Sequence, residues 1–154
     1  MATCKNTSQR GTNNPQNTEY ANTVADYDAS IISPDADNII ADLTCDSSVA
    51  VGNVVRMSGA TVINAQADTA TNARAIGICV AKSDATTCDV QVTGFTNAVM
   101  SGLTVNENYF LSASTAGALT TIPPGASGNV IVLIGRPLTS QRIIIHIDVI
   151  AKRD

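Results

Sequence analysis

From residue 39 onward no apolar run lasts more than a few residues before Gly, Asn, Ser or Pro interrupts it, and this punctuation constrains the fold more than any other feature. Nine segments stand between the interruptions: IIADL (39–43), NVVRM (53–57), ATVINA (60–65), RAIGICVA (74–81), CDVQVT (88–93), NYFLSA (108–113), ALTTI (118–122), NVIVLIGR (129–136) and RIIIHIDVI (142–150). They are rich in Val and Ile, whose branched side chains lose little on a pleated surface and crowd a helix. None keeps a 3.6-residue period with caps at its ends. Many short strands with frequent turn signals indicate a sheet packed on a sheet or closed on itself, not alternating strands and helices. The expected fold is therefore all-β, a compact β-sandwich or β-barrel of short antiparallel strands over residues 39–150, followed by a tail at 151–154.

Residues 1–38 have a different texture. They are rich in Asn, Thr, Gln, Ser and Asp, carry Pro15 and Pro34, and show almost no apolar pattern before Ile31 and Ile32. Such a composition cannot bury enough surface to fold alone, so it reads as an extended N-terminal arm, either disordered or, as preferred, ordered against a neighbouring chain. Charge is also uneven. Of the formal net charge of -4, the first 48 residues hold seven carboxylates against Lys5 and Arg10, and the remainder is close to neutral. No basic face or stripe suits nucleic acid, and no apolar run approaches the roughly 20 residues of a spanning helix. The first twenty residues lack a signal-peptide apolar core, which suggests synthesis in a cytoplasm. Only 14% of residues are charged, against the roughly 25% usual in soluble domains. Polarity comes instead from Thr, Ser and Asn, a surface suited to close subunit packing.

The period of two assigns faces within the strands. In RIIIHIDVI, Ile143, Ile145, Ile147 and Val149 share one side, and Ile144, His146, Asp148 and Ile150 the other. The second side is mixed, and the preferred reading is that it meets another subunit. CDVQV alternates as a half-buried strand, with Cys88, Val90 and Val92 opposite Asp89 and Gln91. Tyr109 and Phe110 stand together in a chain with five aromatic residues and no Trp. As strand neighbours they point to opposite sides, which argues against a shared stacking platform and for one ring in the core and the other at an interface or surface.

Catalytic chemistry is not evident. His146 is the only histidine. With Asp148 two residues on and Ser140 nearby it imitates a triad, yet no G-x-S-x-G elbow accompanies them, and the ordinary reading is a structural histidine. Neither phosphate-loop pattern occurs. The pairs Asp26/Asp28 and Asp35/Asp37 are spaced like oxygen ligands for a cation, but no EF-hand loop surrounds them, and turn aspartates are the simpler account. The sequon at Asn6 carries little weight. No metal site or cofactor is expected, and the chain does not read as an enzyme. The four cysteines, Cys4, Cys45, Cys79 and Cys88, contain no C-x-x-C. If a two-residue turn at Ser83 and Asp84 joins the flanking strands, Cys79 falls opposite Cys88 and a cross-strand disulfide becomes geometrically conceivable. A different register would separate them. Cys4 and Cys45 are the candidates for a cross-link between chains if the arm reaches a neighbour, and unreacted buried thiols are the plain alternative for all four.

The order of VGNVVRMSG, AQADTATNARAIGICVA, DVQVTGF, SGLTVNENYFLSASTAGALTTIPPG and NVIVLIGRPLTSQRIII resembles the compact β-domain of tailed-bacteriophage virion proteins, particularly head decoration (cement) proteins, over about residues 49–147. Related domains occur in phage tail and fibre proteins. The resemblance implies a structural protein on the outer surface of the mature capsid, a homotrimer bridging subunits of the major capsid protein against internal DNA pressure. Gly52, Gly77, Gly94, Gly102, Tyr109, Leu111, Gly117, Leu119 and Gly135 would then form the fold. Oxidation of the cysteines after lysis would add cross-links. The alternative within the resemblance is a tail, baseplate or fibre component whose loop residues, such as Asn106 and Asn108, contact host glycan. A β-sandwich enzyme using His146 is the remaining rival.

Overall fold

The structure, a computed structural model, describes residues 38–154, and among them there is no α-helix. Ten strands follow one another: β1 (Ile39–Thr44), β2 (Val54–Ser58), β3 (Thr61–Asn64), β4 (Gly77–Lys82), β5 (Thr87–Gln91), β6 (Gly94–Phe95), β7 (Tyr109–Leu111), β8 (Leu119–Thr120), β9 (Val130–Thr139) and β10 (Arg142–Lys152). All nine segments expected from the sequence carry a strand. The tenth, β6, is only two residues long. The last strand runs to Lys152, into the segment expected as a tail, and Arg153 continues the attachment by donating its N–H to the Asn129 carbonyl at 2.8 Å.

The strands form two five-stranded sheets, ordered β1-β5-β4-β2-β3 and β6-β10-β9-β7-β8, with every ladder antiparallel. The first sheet curls so far that its outer strands meet. Cys45, just after β1, forms a parallel bridge with Val62 of β3, and the Asp46 N–H donates to the Val62 carbonyl at 2.9 Å. This gives the first sheet a closed interior of its own, while its other side packs on the second sheet. Both expected architectures are therefore present: a barrel-like half inside a sandwich.

Alternation along the strands supplies the two cores. On β2, Val54 joins the core between the sheets and Val55 the interior of the first sheet; on β4, Ile78 and Cys79 divide in the same way. The second sheet contributes Leu111, Val132, Ile134, Ile143 and Ile145 to the shared core, with Ala65, Ala67 and Ala73 from the connection after β3. The β5 alternation holds for Cys88 and Val90, but Gln91, expected with Asp89 on the polar side of a half-buried strand, is fully buried. Its amide donates to the carbonyls of Thr93 and Phe95, at 3.0 and 3.2 Å, and so ties the end of the first sheet to the start of the second.

Two glycines are required by close approach. A Cβ on Gly77 would collide with the Gln91 carbonyl, and one on Gly135 with the carbonyl of Ile144 across the ladder. The short strand β6 is held by side chains as much as by its ladder. The Arg142 guanidinium stacks over the Phe95 ring at 4.1 Å and donates to the Thr96 carbonyl at 2.7 Å, while the Thr96 hydroxyl accepts the Ile143 N–H at 3.1 Å.

Candidate interaction surface

The two rings separate as their adjacent positions require. Tyr109 enters the core between the sheets, and its hydroxyl accepts the Thr104 N–H at 2.9 Å, which pins the loop before β7. Phe110 lies on the opposite side of β7, between Leu133 of β9 and Thr120 of β8. Each is only 8% exposed, so Phe110 is covered within the second sheet rather than lying at an interface or surface as expected, and neither ring offers a stacking face to a ligand.

The thiols meet, but not through the expected turn. A four-residue connection, Ser83–Thr86, links β4 to β5 and sets Cys79 opposite Val90 and Cys88 opposite Lys82. Cys79 and Cys88 are thus diagonal neighbours on one side of the sheet, and Cys45 reaches the same spot from the end of β1. All three are free thiols sealed within the first sheet, Cys45 at 2% exposure. Burial, with Cys45 and Cys79 close by, pushes the Cys88 thiol up to about 12, and burial likewise raises Cys79. A thiol that resists ionisation is a poor nucleophile, so the cluster behaves as small apolar packing. Cys4, Asn6 and the aspartates at 26, 28, 35 and 37 lie outside the described residues.

His146 stands exposed on the outer side of the second sheet, with no hydrogen bond joining it to Ser140 or Asp148 among the described residues. Ile147 packs on the core with Ile143 and Ile145, while His146 and Asp148 are both exposed, and the ladder between β10 and β9 carries a bulge between Ile145 and Asp148. Among the described residues no group of three or more His, Cys, Asp or Glu side chains is arranged to hold a metal ion.

What His146 does border is an apolar hollow of about 240 Å³. Leu133, Leu138 and Ile144 form its walls, Gly135 its floor, and His146, Arg136 and Asn108 its rim. Arg136 donates from Nε and Nη2 to the Asn108 Oδ1 at 3.3 and 3.0 Å, so the rim is already braced before anything docks. Asn106 occupies the turn before β7 in the left-handed region, φ 68°, and donates its N–H to the Pro137 carbonyl at 3.3 Å. Further along β10, Val149 and Ile150 are 61% and 54% exposed. Periodicity expected Ile150 on the mixed side but Val149 on the core side with Ile143, Ile145 and Ile147; Val149 is instead exposed, beside the bulge between Val149 and Ala151, and together with Ile144 and Ile150 it gives β10 exposed apolar side chains with polar neighbours, the composition of an interface.

A larger open cavity, about 570 Å³, lies at the junction of the segment before β2, the loop around Val99–Leu103 and the turn between β7 and β8. Backbone groups and small side chains line most of it, with Asn53 on one wall and part of Tyr109 on another. Sequence reasoning did not find this cavity, because its walls come from three separate loops and none carries a motif.

Comparison of the chain with models of protein families, with curated proteins and with solved structures finds no match in any of the three.

Proposed function

We propose that this chain is a structural virion protein, a capsid decoration protein that binds the outside of a phage head and stabilises it by bridging subunits of the major capsid protein, itself assembled as a homotrimer. The order of motifs supports the family. The observation that carries the reading is the second sheet's exposed apolar side chains, Leu138 and Ile144 at the hollow and Val149 and Ile150 along β10. Branched apolar side chains held on a sheet suit lasting contacts with other subunits. A polar, acidic N-terminal segment adds a second means of engaging a neighbour, and contacts repeated over a shell multiply modest affinities through effective concentration. The deciding experiment is co-sedimentation of the purified protein with expanded, undecorated phage heads, followed by imaging. Regular density at symmetry-related positions is expected; heads that remain bare overturn the proposal.

The 570 Å³ cavity favours a second reading, a tail or fibre component that binds host glycan there. A glycan array separates the two, since that reading requires saccharide binding that a bulky substitution at Ala118, on the cavity wall, abolishes.

A further inference from the structure

Each sheet must dispose of its edges, because an edge strand presents unpaired N–H and C=O groups to any extended chain that approaches. The first sheet does so by the bridge between Cys45 and Val62. The second does so only in part. β6 pairs with Ile144 and Ile145 of β10 and then ends, and among the described residues no strand lies on that side of His146–Lys152. The other side of this stretch is held by β9, which pairs Asp148, Val149, Ala151 and Lys152 with Leu133, Val132, Ile131 and Val130. The free half of β10 is therefore a supported template rather than a frayed end. Of the devices that blunt natural edges it carries Lys152 and two bulges, but it is not short, carries no Pro, and exposes Val149 and Ile150.

We propose that this free edge is a homodimer interface, in which β10 pairs antiparallel with β10 of a second copy about a two-fold axis through Ile150. The sequence of the edge is self-complementary in that register. Asp148 falls opposite Lys152 twice, once on each side of the axis, Val149 falls opposite Ala151, and the two Ile150 side chains meet at the centre. An axis through Val149 would instead set His146 opposite Lys152 and leave Asp148 facing Ile150. An axis between Ile150 and Ala151 would set Asp148 opposite Arg153, whose side chain is already turned to the Pro124 carbonyl at 3.3 Å. Opposite charges directly across a ladder stabilise the pairing and like charges oppose it, so charge selects the Ile150 register. Two bulges on β10, between Ile145 and Asp148 and between Val149 and Ala151, increase its twist, and a symmetry-related strand carries the same twist. The outcome is one continuous sheet across two protomers, with closed symmetry that leaves no further edge at this site. This contact involves Val149 and Ile150, which also carry the capsid-binding reading, and the charge swaps at Asp148 and Lys152 test it apart from that reading.

Analytical ultracentrifugation of the full chain over a wide concentration range tests it. A reversible dimerisation step is expected. Asp148→Lys, which puts like charges across both symmetric positions, weakens that step about tenfold, Lys152→Asp does the same, and the double swap restores it. All these positions are exposed, and unchanged circular dichroism will show that the fold persists. Amide hydrogen exchange at 148–152 slows with protein concentration in the wild type and not in either single variant. A chain that stays monomeric at every concentration overturns the proposal, as does self-association indifferent to the charge swaps. If removing residues 1–37 is what uncovers dimerisation, that segment occupies the edge in the intact chain, and the proposal is again overturned.

Discussion

The interior of the first sheet and the free half of the second are built from the same kinds of side chain, in strands of the same protein, and they come to opposite ends. Val55, Val62, Cys79, Cys88 and Val90 are sealed inside a sheet that closes on itself, whereas Ile144, Val149 and Ile150 stand in the open along a strand that outruns its neighbour. The difference is not hydrophobicity but edge disposal: one sheet finds its last partner within the chain, and the other stops two residues into its edge pairing. Apolar residues in the first region contribute to folding, and those in the second are available for association.

Adjacent residues on β10 give the sharpest way to break this comparison. Ile143 is fully buried in the core between the sheets, and Ile144, the next residue, is 40% exposed at the hollow. Ile143→Ala should destabilise the fold by about 2–5 kcal/mol in urea unfolding, through lost burial and the cavity left behind. Ile144→Ala should stay within about 0.5 kcal/mol in the monomer. Equal losses would mean that the outer side is part of the core after all. Gly135→Ala comes next, because the added methyl has no room against the Ile144 carbonyl, and a cost of about 1–3 kcal/mol is expected from the same unfolding measurement.

Much of this contrast was legible in the sequence, and the parts that were not have a common cause. Local period-two patterning located nine of the strands and placed Tyr109 and Phe110 on opposite sides, because both follow from neighbours in the chain. It missed β6, since Gly94–Phe95 is too short to show a pattern and is fixed by Arg142 and Thr96 from elsewhere. It placed Gln91 on the polar side of a half-buried strand, since the carbonyls of Thr93 and Phe95 that its amide meets lie beyond the end of β5. The thiol cluster shows the same limit: Cys79 and Cys88 would face each other only across a two-residue turn at Ser83 and Asp84, the actual connection is four residues long, and Cys45 joins them only through the closure at Val62, a contact that no local pattern encodes. The mixed side of β10 at Ile144, His146 and Ile150 was visible in the alternation; the exposure of Val149, expected on the core side, was not, nor was the absence of a strand beside His146–Lys152 among the described residues, because these depend on the bulges and on where β6 stops.

The sealed interior also has a titration signature that the open edge lacks. The folded Cys88 thiol is pushed up to about 12, above the roughly 8.5 of an unfolded cysteine. The stability this represents is fully present below the unfolded value and is lost as pH rises from about 8.5 toward 12, since the unfolded chain ionises first. Between pH 8 and 10.5 the wild type should lose about 2 kcal/mol more than Cys88→Ala, measured as the difference in their urea midpoints at the two pH values. A parallel decline in both proteins would mean that the thiols are solvated and the sheet is not closed.

The smallest effect lies at the rim of the same sheet and has the opposite sign. Asp84, in the loop that sets the thiol register, accepts the Thr86 N–H at 2.7 Å and the Thr87 hydroxyl at 3.1 Å, and these bonds hold its carboxyl below the usual range. Asp46 is lowered similarly by its bonds with Ser48. Their contribution is present above the unfolded carboxylate value of about 3.9 and is lost as pH falls through the lower folded values. Both groups are exposed to solvent, which screens them: Asp84→Asn should unfold in acid with a shallower pH dependence than the wild type, and its alkaline behaviour should be unchanged. The first sheet thus answers to pH at both ends of the scale, through its thiols in base and its loop carboxylates in acid. The proposed pairing of β10, with Asp148 of one copy opposite Lys152 of the other, answers to protein concentration instead. A fold whose acid sensitivity vanished with Asp148→Asn rather than with Asp84→Asn would reverse the comparison.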